Sequence, residues 1–507
     1  MNPTTALTTR NAESVRLADV PTVPVEDFRA WLVFETGRGG RIVSWFGWPE
    51  GDRLRMLGVV AHDAAGELVL ASTVVGEKFD SITPECPEAH WFERELAEQW
   101  GVEPVGHPWL KPIRFQPRRM IVDGSKTDVP GVPARPVVGR TAFFRVEGDE
   151  VHEVAVGPVH AGVIEPGHFR FQCHGENVYH LEISLGYQHR GVERAMNPAG
   201  PRAIHYMETL AGDTSIGHAT AYAQLIEALA GCQVPLAAMR LRGIALELER
   251  MANHIGDLGA LAGDVGYLPT MSYCGRLRGD VLNMTAVLCG NRFGRGLVRP
   301  GGTAWDLTAE MAADLLKRLD DVARDTAGAV NLLWDSPSVM ARFEGTGTLS
   351  DETCEEIGLV GPAARAAGLE IDVRKDFPFG IYRYQHLPTC TWNTGDVFGR
   401  AYVRWMEVQQ SVDFLREQLE AAVSADVRAA CPPMASARLA VSLVEGWRGE
   451  ICHVGITGDD GRLLRYKVVD PSFHNWFGLA QALRGQAISD FPLCNKSFNL
   501  SYCGHDL

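Results

Sequence analysis

The sequence predicts an α+β fold in two parts: a small N-terminal α+β domain, then a larger domain with a central bundle of long helices and β-strands at its periphery. Three observations carry this. Short apolar runs alternate with turns from about residue 25 to 115, a Pro- and Gly-rich stretch without periodicity covers residues 114 to 139, and long patterns of helical period follow.

Composition sets the outer bounds. With 507 residues, 46% hydrophobic and 22% charged, the chain has the apolar content of an ordinary globular protein. A formal charge of -15 argues against phosphate-backbone binding, which needs clustered cations. The N-terminal stretch "MNPTTALTTRNAESVRLADV" is polar where a secretory leader needs an apolar core, so a cytoplasmic protein is expected. No apolar run approaches the roughly 20 residues that span a bilayer, so membrane association is expected through partners. The 11 cysteines form no CxxC pair, which weakens zinc-ribbon, thioredoxin-like and cluster-binding readings and leaves most of them as small buried residues.

In chain order, "AWLVFE", "GRIVSWFGWP", "LRMLGVVAHD" and "ELVLASTVV" read as strands, and "HWFERELAEQWG" as a helix with Trp91, Phe92, Leu96 and Trp100 at helical spacing. "FRFQCHG" and "VYHLEISLG" read as strands beyond the linker. "GHATAYAQLIEALAG" is a helix ending at Gly231. Three more long helices are expected in "AMRLRGIALELERMANHIGDLGALAGDVG", "DLTAEMAADLLKRLDDVARDTAGAVNLL" and "VFGRAYVRWMEVQQSVDFLREQLEAAV". Strands return in "GEICHVGITGDDGRLLRYKVV", with Asp459, Asp460 and Gly461 as a hairpin turn.

Polar stripes on these helices are the first candidates for function. Glu247, Arg250 and His254 stand on one helical face, and Arg400, Arg404 and Glu407 repeat the arrangement. Facing solvent they are salt-bridge decoration; facing the bundle they must be paired, because an unpaired buried ion costs several kcal/mol. His160, in the loop "GPVHAGVIEPG", reads first as a surface or backbone-bonding histidine. Tyr206, in "AIHYMETL", reads first as an amphipathic core residue.

Taken together the segments resemble a known family. "SITPECPEAHWFERELAEQWGVEPVGHPWLKPIRF" is similar to the signature region of the C subunit of complex I (NADH:quinone oxidoreductase). The order "GPVH", "LGYQHRGVE", "DVGY", "GRGLVRPGG", "GLVGPAARAAGLEIDVRKDFPFGIY", "RGE" and "VVDPSFHNWFGLAQALRG" resembles the D subunit and the large subunits of group 4 nickel-iron hydrogenases, including the formate hydrogenlyase type. The resemblance implies a C-like domain over 1–113, a linker over 114–149 and a hydrogenase-large-subunit-like domain over 150–507.

It also implies where chemistry would sit. Hydrogenases hold nickel and iron between two CxxC pairs, since soft thiolates suit these metals. Anchored on His218, the first pair falls on Ala211 and Thr214; aligned on "NLSYCG", the second falls on Ser501 and Gly504, with Cys503 one residue short. These positions read as degenerate, and the chain stops at Leu507 where a hydrogenase extension would be trimmed. The combination is similar to the energy-converting hydrogenase-related complexes. In complex I the matching cavity takes a quinone between a tyrosine and a histidine. Tyr206 matches the tyrosine and His160 the first histidine of that loop, while the quinone-facing histidine falls near Ile164 or Glu165.

The expectation is an electron-transfer subunit with no metal or cofactor of its own and a quinone as possible substrate. It would dock on an iron-sulfur small subunit, similar to the B subunit of complex I, and on membrane subunits at the inner face of the membrane, without nucleic acid. Tyr206, His160 and His218 would serve the acceptor in a cavity formed by the "GPVH" loop, the helix start after Tyr206 and the C-terminal stretch. Glu247, Arg250, His254, Asp264, Arg400 and Arg404 would form a buried proton or charge path. Two rivals stand beside it: a docking subunit whose site is filled by its own side chains, and a hydrogenase whose ligands are Cys494, Cys503 and others such as Cys173 or Cys232. No GxGxxG opens a βαβ unit, so no NADH site is expected here.

Overall fold

The computed structural model describes residues 6–119, 129–162, 164–197, 200, 202–422 and 425–507. Of the expected linker, residues 120–128 lie outside the described residues. The N-terminal arm carries β1 (Leu7–Thr9) and β2 (Ser14–Arg16). Helix α1 (Val25–Gly37) precedes β3 (Arg41–Glu50), β4 (Arg53–His62) and β5 (Glu67–Val75), which join β1 in an antiparallel sheet ordered β1-β5-β4-β3.

The run "AWLVFE", expected as a strand, lies inside α1. Glu26 and Asp27 occupy its first turn, where the helix dipole favours acids, and Phe28, Trp31, Leu32 and Glu35 recur at helical spacing on the buried face. The longer window sets the period. Gly58 lets α1 sit on the sheet, since a Cβ there would lie 2.9 Å from the Trp31 ring. Parallel β6 (Lys78–Asp80) and β7 (Glu103–Val105) flank α2 (His90–Trp100), every residue of which is buried.

Strands β8 (Val151–Val156), β9 (His168–His174) and β10 (Asn177–Ser184) form a second antiparallel sheet. Short helices α3 (Val192–Ala195) and α4 (Ala203–Glu208) lead to α5 (Ser215–Ala230), which ends at Gly231 in the left-handed conformation (φ 66°). Then come α6 (Leu236–Asp264) and α7 (Leu268–Cys289), a small hairpin of β11 (Val298–Arg299) and β12 (Gly302–Thr303), and α8 (Ala309–Trp334). Four short helices, α9 (Pro337–Phe343), α10 (Asp351–Glu356), α11 (Gly361–Arg365) and α12 (Val373–Asp376), precede α13 (Val397–Glu420). Helix α6 packs between α7 and α13, and α8 closes the bundle against both.

The C-terminal sheet, ordered β15-β14-β13-β2, comprises β13 (Arg438–Gly446), β14 (Gly449–Thr457), β15 (Leu463–Val469) and the N-terminal β2. Asp459, Asp460 and Gly461 lie in the β14–β15 turn, where the Gly458 amide donates to the Arg462 carbonyl at 2.9 Å. Helices α14 (Pro471–Ala482), α15 (Phe491–Phe498) and α16 (Tyr502–Asp506) end the chain.

One hydrophobic cluster runs from Val20 to Leu507 and takes in residues on both sides of position 113. Ion pairs cross the same line: part-buried Arg41 to Glu450 at 3.0 Å, and buried Lys467 to Glu95 at 2.6 Å. The segment after 113 is also anchored. Arg114, Phe115 and Gln116 are buried, and the Arg114 and Gln116 amides donate to Glu98 at 3.0 and 3.1 Å.

Candidate functional site

Three segments distant in sequence meet at Cys503, at the start of α16. Its thiol contacts the Ser501 hydroxyl at 3.4 Å, the Gly212 backbone in the loop between α4 and α5, and Glu165 in the loop after "GPVH". The segments expected to frame a cavity therefore come together. Arg190 locks two of them, donating to the carbonyls of Thr209 at 2.8 Å, Leu210 at 2.7 Å and Cys503 at 3.3 Å. Arg448, in the β13–β14 turn, adds a second clamp: its guanidinium grips Asp213 at 2.6 and 2.8 Å and donates to the Asn499 carbonyl at 2.5 Å. Burial pulls the Arg448 cation one way, and the Asp213 carboxylate outweighs it, keeping the guanidinium charged.

The four positions that the family resemblance aligns with metal ligands lie on these two segments. Ala211 and Thr214 are buried on one, Ser501 and Gly504 on the other. Ser501 caps α16, its hydroxyl accepting from the Gly504 amide at 2.9 Å, and the Thr214 hydroxyl donates to Asp213 at 3.2 Å. A Cβ at Gly504 would lie 2.7 Å from the Asp470 carboxyl, so a side chain there requires that carboxyl, held by His218 and the Ser472 amide, to move. The residues present do not fit a nickel-iron centre: they offer no thiolate, and one position would clash with Asp470 if given any. Nor do the cysteines of the hydrogenase reading, Cys494, Cys503, Cys173 and Cys232, converge. Cys494 packs on Arg400, Cys173 sits in β9, and Cys232 lies at the end of α5. Among the described residues, no group of His, Cys, Asp and Glu could hold a metal ion.

Behind the two segments runs a buried chain of titratable groups. Asp470 caps α14 through the Ser472 amide at 2.8 Å and accepts from His218 Nε2 at 2.9 Å. His218 Nδ1 lies 3.1 Å from His453 Nε2, and His453 Nδ1 lies 2.7 Å from the Tyr466 hydroxyl. An ionised carboxylate only accepts, so His218 Nε2–H donates to Asp470; with both imidazoles neutral, His453 Nε2–H then donates to His218 Nδ1 and the Tyr466 O–H to His453 Nδ1. Burial pushes Asp470 up, but the His218 hydrogen bond and the Arg448 charge prevail and hold it below the usual carboxylate range. Burial keeps His453 neutral. The sequence reading reached His218 through its motif and missed Asp470, His453, Tyr466, Asp213 and Arg448. "VVDP" and "RGE" had flagged their neighbourhood, but each partner is set by tertiary packing.

Tyr206 and His160 lie nearer the surface. Tyr206 is 40% exposed, on a short helix anchored by buried Met207, whose sulfur lies 3.9 Å from the Tyr466 hydroxyl. His160 donates to the Gly167 carbonyl at 2.8 Å, the backbone bond expected of a loop histidine.

The charged stripes face the bundle interior. Glu247 accepts from Arg250 at 3.2 Å, Tyr382 at 2.7 Å and Ser411 at 2.6 Å, and pairs with Arg374. Glu407 takes Arg365 at 2.8 Å, His254 at 2.9 Å and Arg250 at 3.2 Å. Burial would raise Glu407; Arg365 and His254 outweigh it and hold the carboxyl well below its ordinary range. Arg404 pairs with Asp257 at 2.9 Å, one helical turn from Glu407. Two expected members stand apart. Asp264 is exposed at the last residue of α6, away from the buried pairs of Glu247 and Glu407. Arg400 is buried, but it binds the carbonyls of Gly395 and Gly347 and the Ser497 hydroxyl, with no carboxylate in ion-pair distance among the described residues.

Comparison with known proteins shows the family. The family described as respiratory-chain NADH dehydrogenase, 49 Kd subunit, matches residues 264–438, and the one described as its 30 Kd subunit matches 47–135. Formate hydrogenlyase subunit 5 of Escherichia coli (strain K12) is 30% identical over 433 residues, 84% of this chain and 76% of that protein. A carbon monoxide-induced hydrogenase of Rhodospirillum rubrum is 31% identical over 350 residues, 69% of this chain and 97% of that one. The D subunit of the NADH-quinone oxidoreductase of Clostridium beijerinckii is 29% identical over 338 residues, 66% and 91% of the two chains.

Proposed function

The chain belongs to the family of complex I 49 kDa-type subunits and membrane-bound hydrogenase large subunits, with a 30 kDa-type segment on the same chain, and from this we propose that it is an electron-transfer subunit of a membrane-associated oxidoreductase complex that works without a nickel-iron centre. The carrying observation is Gly504 closed against the Asp470 carboxyl, at one of four positions that bear no thiolate. No helix among the described residues is long and apolar enough to cross a membrane. Attachment then falls to membrane subunits, and the electron to an iron-sulfur small subunit seated on the face that bears Tyr206.

The acceptor in this reading is a quinone or a similar small organic molecule. Tyr206, exposed on anchored α4, donates a hydrogen bond to the acceptor oxygen. The chain from Tyr466 through His453 and His218 to Asp470 stores and passes protons, because each imidazole accepts on one nitrogen while it donates on the other. The Glu407 and Glu247 clusters hold charge inside the bundle, where the low dielectric makes a change in one pair felt by the next.

One observation favours a second reading, a docking subunit without chemistry of its own: the Cys503 thiol occupies the point where the three site segments meet. Metal analysis of the complex purified without oxygen, with hydrogen uptake on the same sample, tests the shared premise. Iron without stoichiometric nickel and no hydrogen turnover is expected; nickel with turnover would sink it. Quinone reduction by the same preparation separates the two readings. A loss of at least tenfold in Tyr206→Phe supports the first, and no reduction by the unaltered complex supports the second.

A further inference from the structure

Cys232 and Cys431 are remote in sequence, yet the Cys232 thiol lies 3.8 Å from the carbonyl of Ala430, the residue before Cys431, and near enough to the Cys431 thiol to raise it. The fold holds them there from both sides. Left-handed Gly231 turns the chain out of α5, and the Cys232 amide donates back to the Glu227 carbonyl at 2.8 Å. The segment leading into β13 docks alongside: the Ala435 amide donates to Leu229 at 2.9 Å, the Ala429 amide to Gly301 at 2.8 Å, and the Cys232 thiol reaches the Ala430 carbonyl at 3.8 Å. Both cysteines are partly exposed, whereas Cys86, Cys173, Cys274, Cys289, Cys354, Cys452 and Cys494 are buried.

We propose that Cys232 and Cys431 form an oxidisable dithiol that closes to a disulfide when hydrogen peroxide reaches the end of α5. Cys232 sulfur attacks one peroxide oxygen, the O–O bond breaks, and the products are a sulfenic acid at Cys232 and one water. Cys431 sulfur then attacks the sulfenic sulfur; an S–S bond forms, the S–O bond breaks, and the hydroxyl leaves with the Cys431 proton as a second water. Two electrons pass from the thiols to peroxide, and two thiols plus one peroxide give one disulfide plus two waters. Burial, with the Cys232 thiol beside it, raises Cys431 to about 12, and a thiol held protonated is the slower nucleophile, so the first attack is assigned to Cys232. The bond would join the C-terminal end of α5, which carries His218 near its start, to the strand segment that leads to Arg448 and His453.

The experiment treats the full-length protein, within its purified complex, with hydrogen peroxide, blocks free thiols with iodoacetamide, and maps unreduced peptides by mass spectrometry. A Cys232–Cys431 cross-link that forms before Cys390 or Cys503 loses its alkylation, and that dithiothreitol removes, is expected. Alkylation of both cysteines after Cys390 or Cys503 has oxidised would overturn the proposal. Dimedone capture in the single variants checks the order: Cys431→Ser should trap a sulfenic acid at Cys232, while Cys232→Ser should leave Cys431 unlabelled. The reverse pattern would overturn the assigned roles.

Discussion

At the scale of residues, the site is held by polar groups that the chain brings together over long sequence distances, and Glu249 shows what this does to titration. It accepts from the Ile216 amide at 2.7 Å and the Gly217 amide at 3.0 Å at the start of α5, directly ahead of His218. Burial, with Asp213 close by, pushes its carboxyl up to about 8 despite those amides. Between the unfolded value, about 4.3, and 8 the folded chain holds a proton that the unfolded chain lacks. The stabilisation is therefore complete below the unfolded value and is lost as pH rises through 8. The two amides bind separate carboxyl oxygens, so Glu249→Gln keeps an acceptor for one of them while it removes the titrating proton. Melting curves from pH 5 to 8.5 should show the unaltered protein losing midpoint steadily against the variant; parallel curves would refute the assignment. His218 was legible because a motif fixes its spacing to Ala211 and Thr214. Glu249 was not, since on α6 its charge reads like any solvated helix position until α5 is seen to end on it.

At the scale of elements, long amphipathic helices were the easiest features to read, and the exceptions have physical causes. Helix α7 escaped because its buried stripe runs through Thr270, Cys274, Leu277, Val281, Met284 and Leu288, with weakly apolar members that blur the period. Which way the charged stripes face was open for a different reason: periodicity locates a face but not its neighbour. In α13 the neighbour is α6, and Glu407 sits between Arg365, Arg250 and His254 with no access to solvent. Glu407→Ala would leave two buried guanidinium groups short of a counter-charge. A loss of about 3–5 kcal/mol is expected, measured by denaturant unfolding. Glu407→Gln retains the hydrogen-bond acceptor without the charge, so it should fall between the two. A cost near zero for the alanine variant would mean that water or Glu445 already compensates these cations.

At the scale of the whole molecule, the N-terminal arm closes the architecture, and no local pattern in the sequence could announce it, because β2 pairs with β13 more than four hundred positions away. Strand β1 adds an edge to the first sheet and β2 to the last, so the arm staples the 30 kDa-like part to the sheet that carries Arg448 and His453. Asn11 lies between them. Its Nδ2 donates to the carbonyls of Phe377 at 2.8 Å and Leu443 at 3.0 Å, and its Oδ1 accepts from the Leu443 amide at 2.8 Å. Asn11→Ala strips partners from buried backbone groups, each costing on the order of 1–3 kcal/mol. Deleting residues 1–19 goes further: it bares the β13 edge, and an open edge recruits other chains. The deletion should raise hydrogen exchange in β13 and β14, lower the melting midpoint and promote aggregation, with Asn11→Ala giving the first two effects more weakly. Exchange in β13 unchanged by the deletion would show that the sheet stands without its N-terminal strand. If exchange rises in β13 and spreads to the turn holding Arg448, the clamp on Asp213 loosens with it, and the site depends on a strand from the opposite end of the chain.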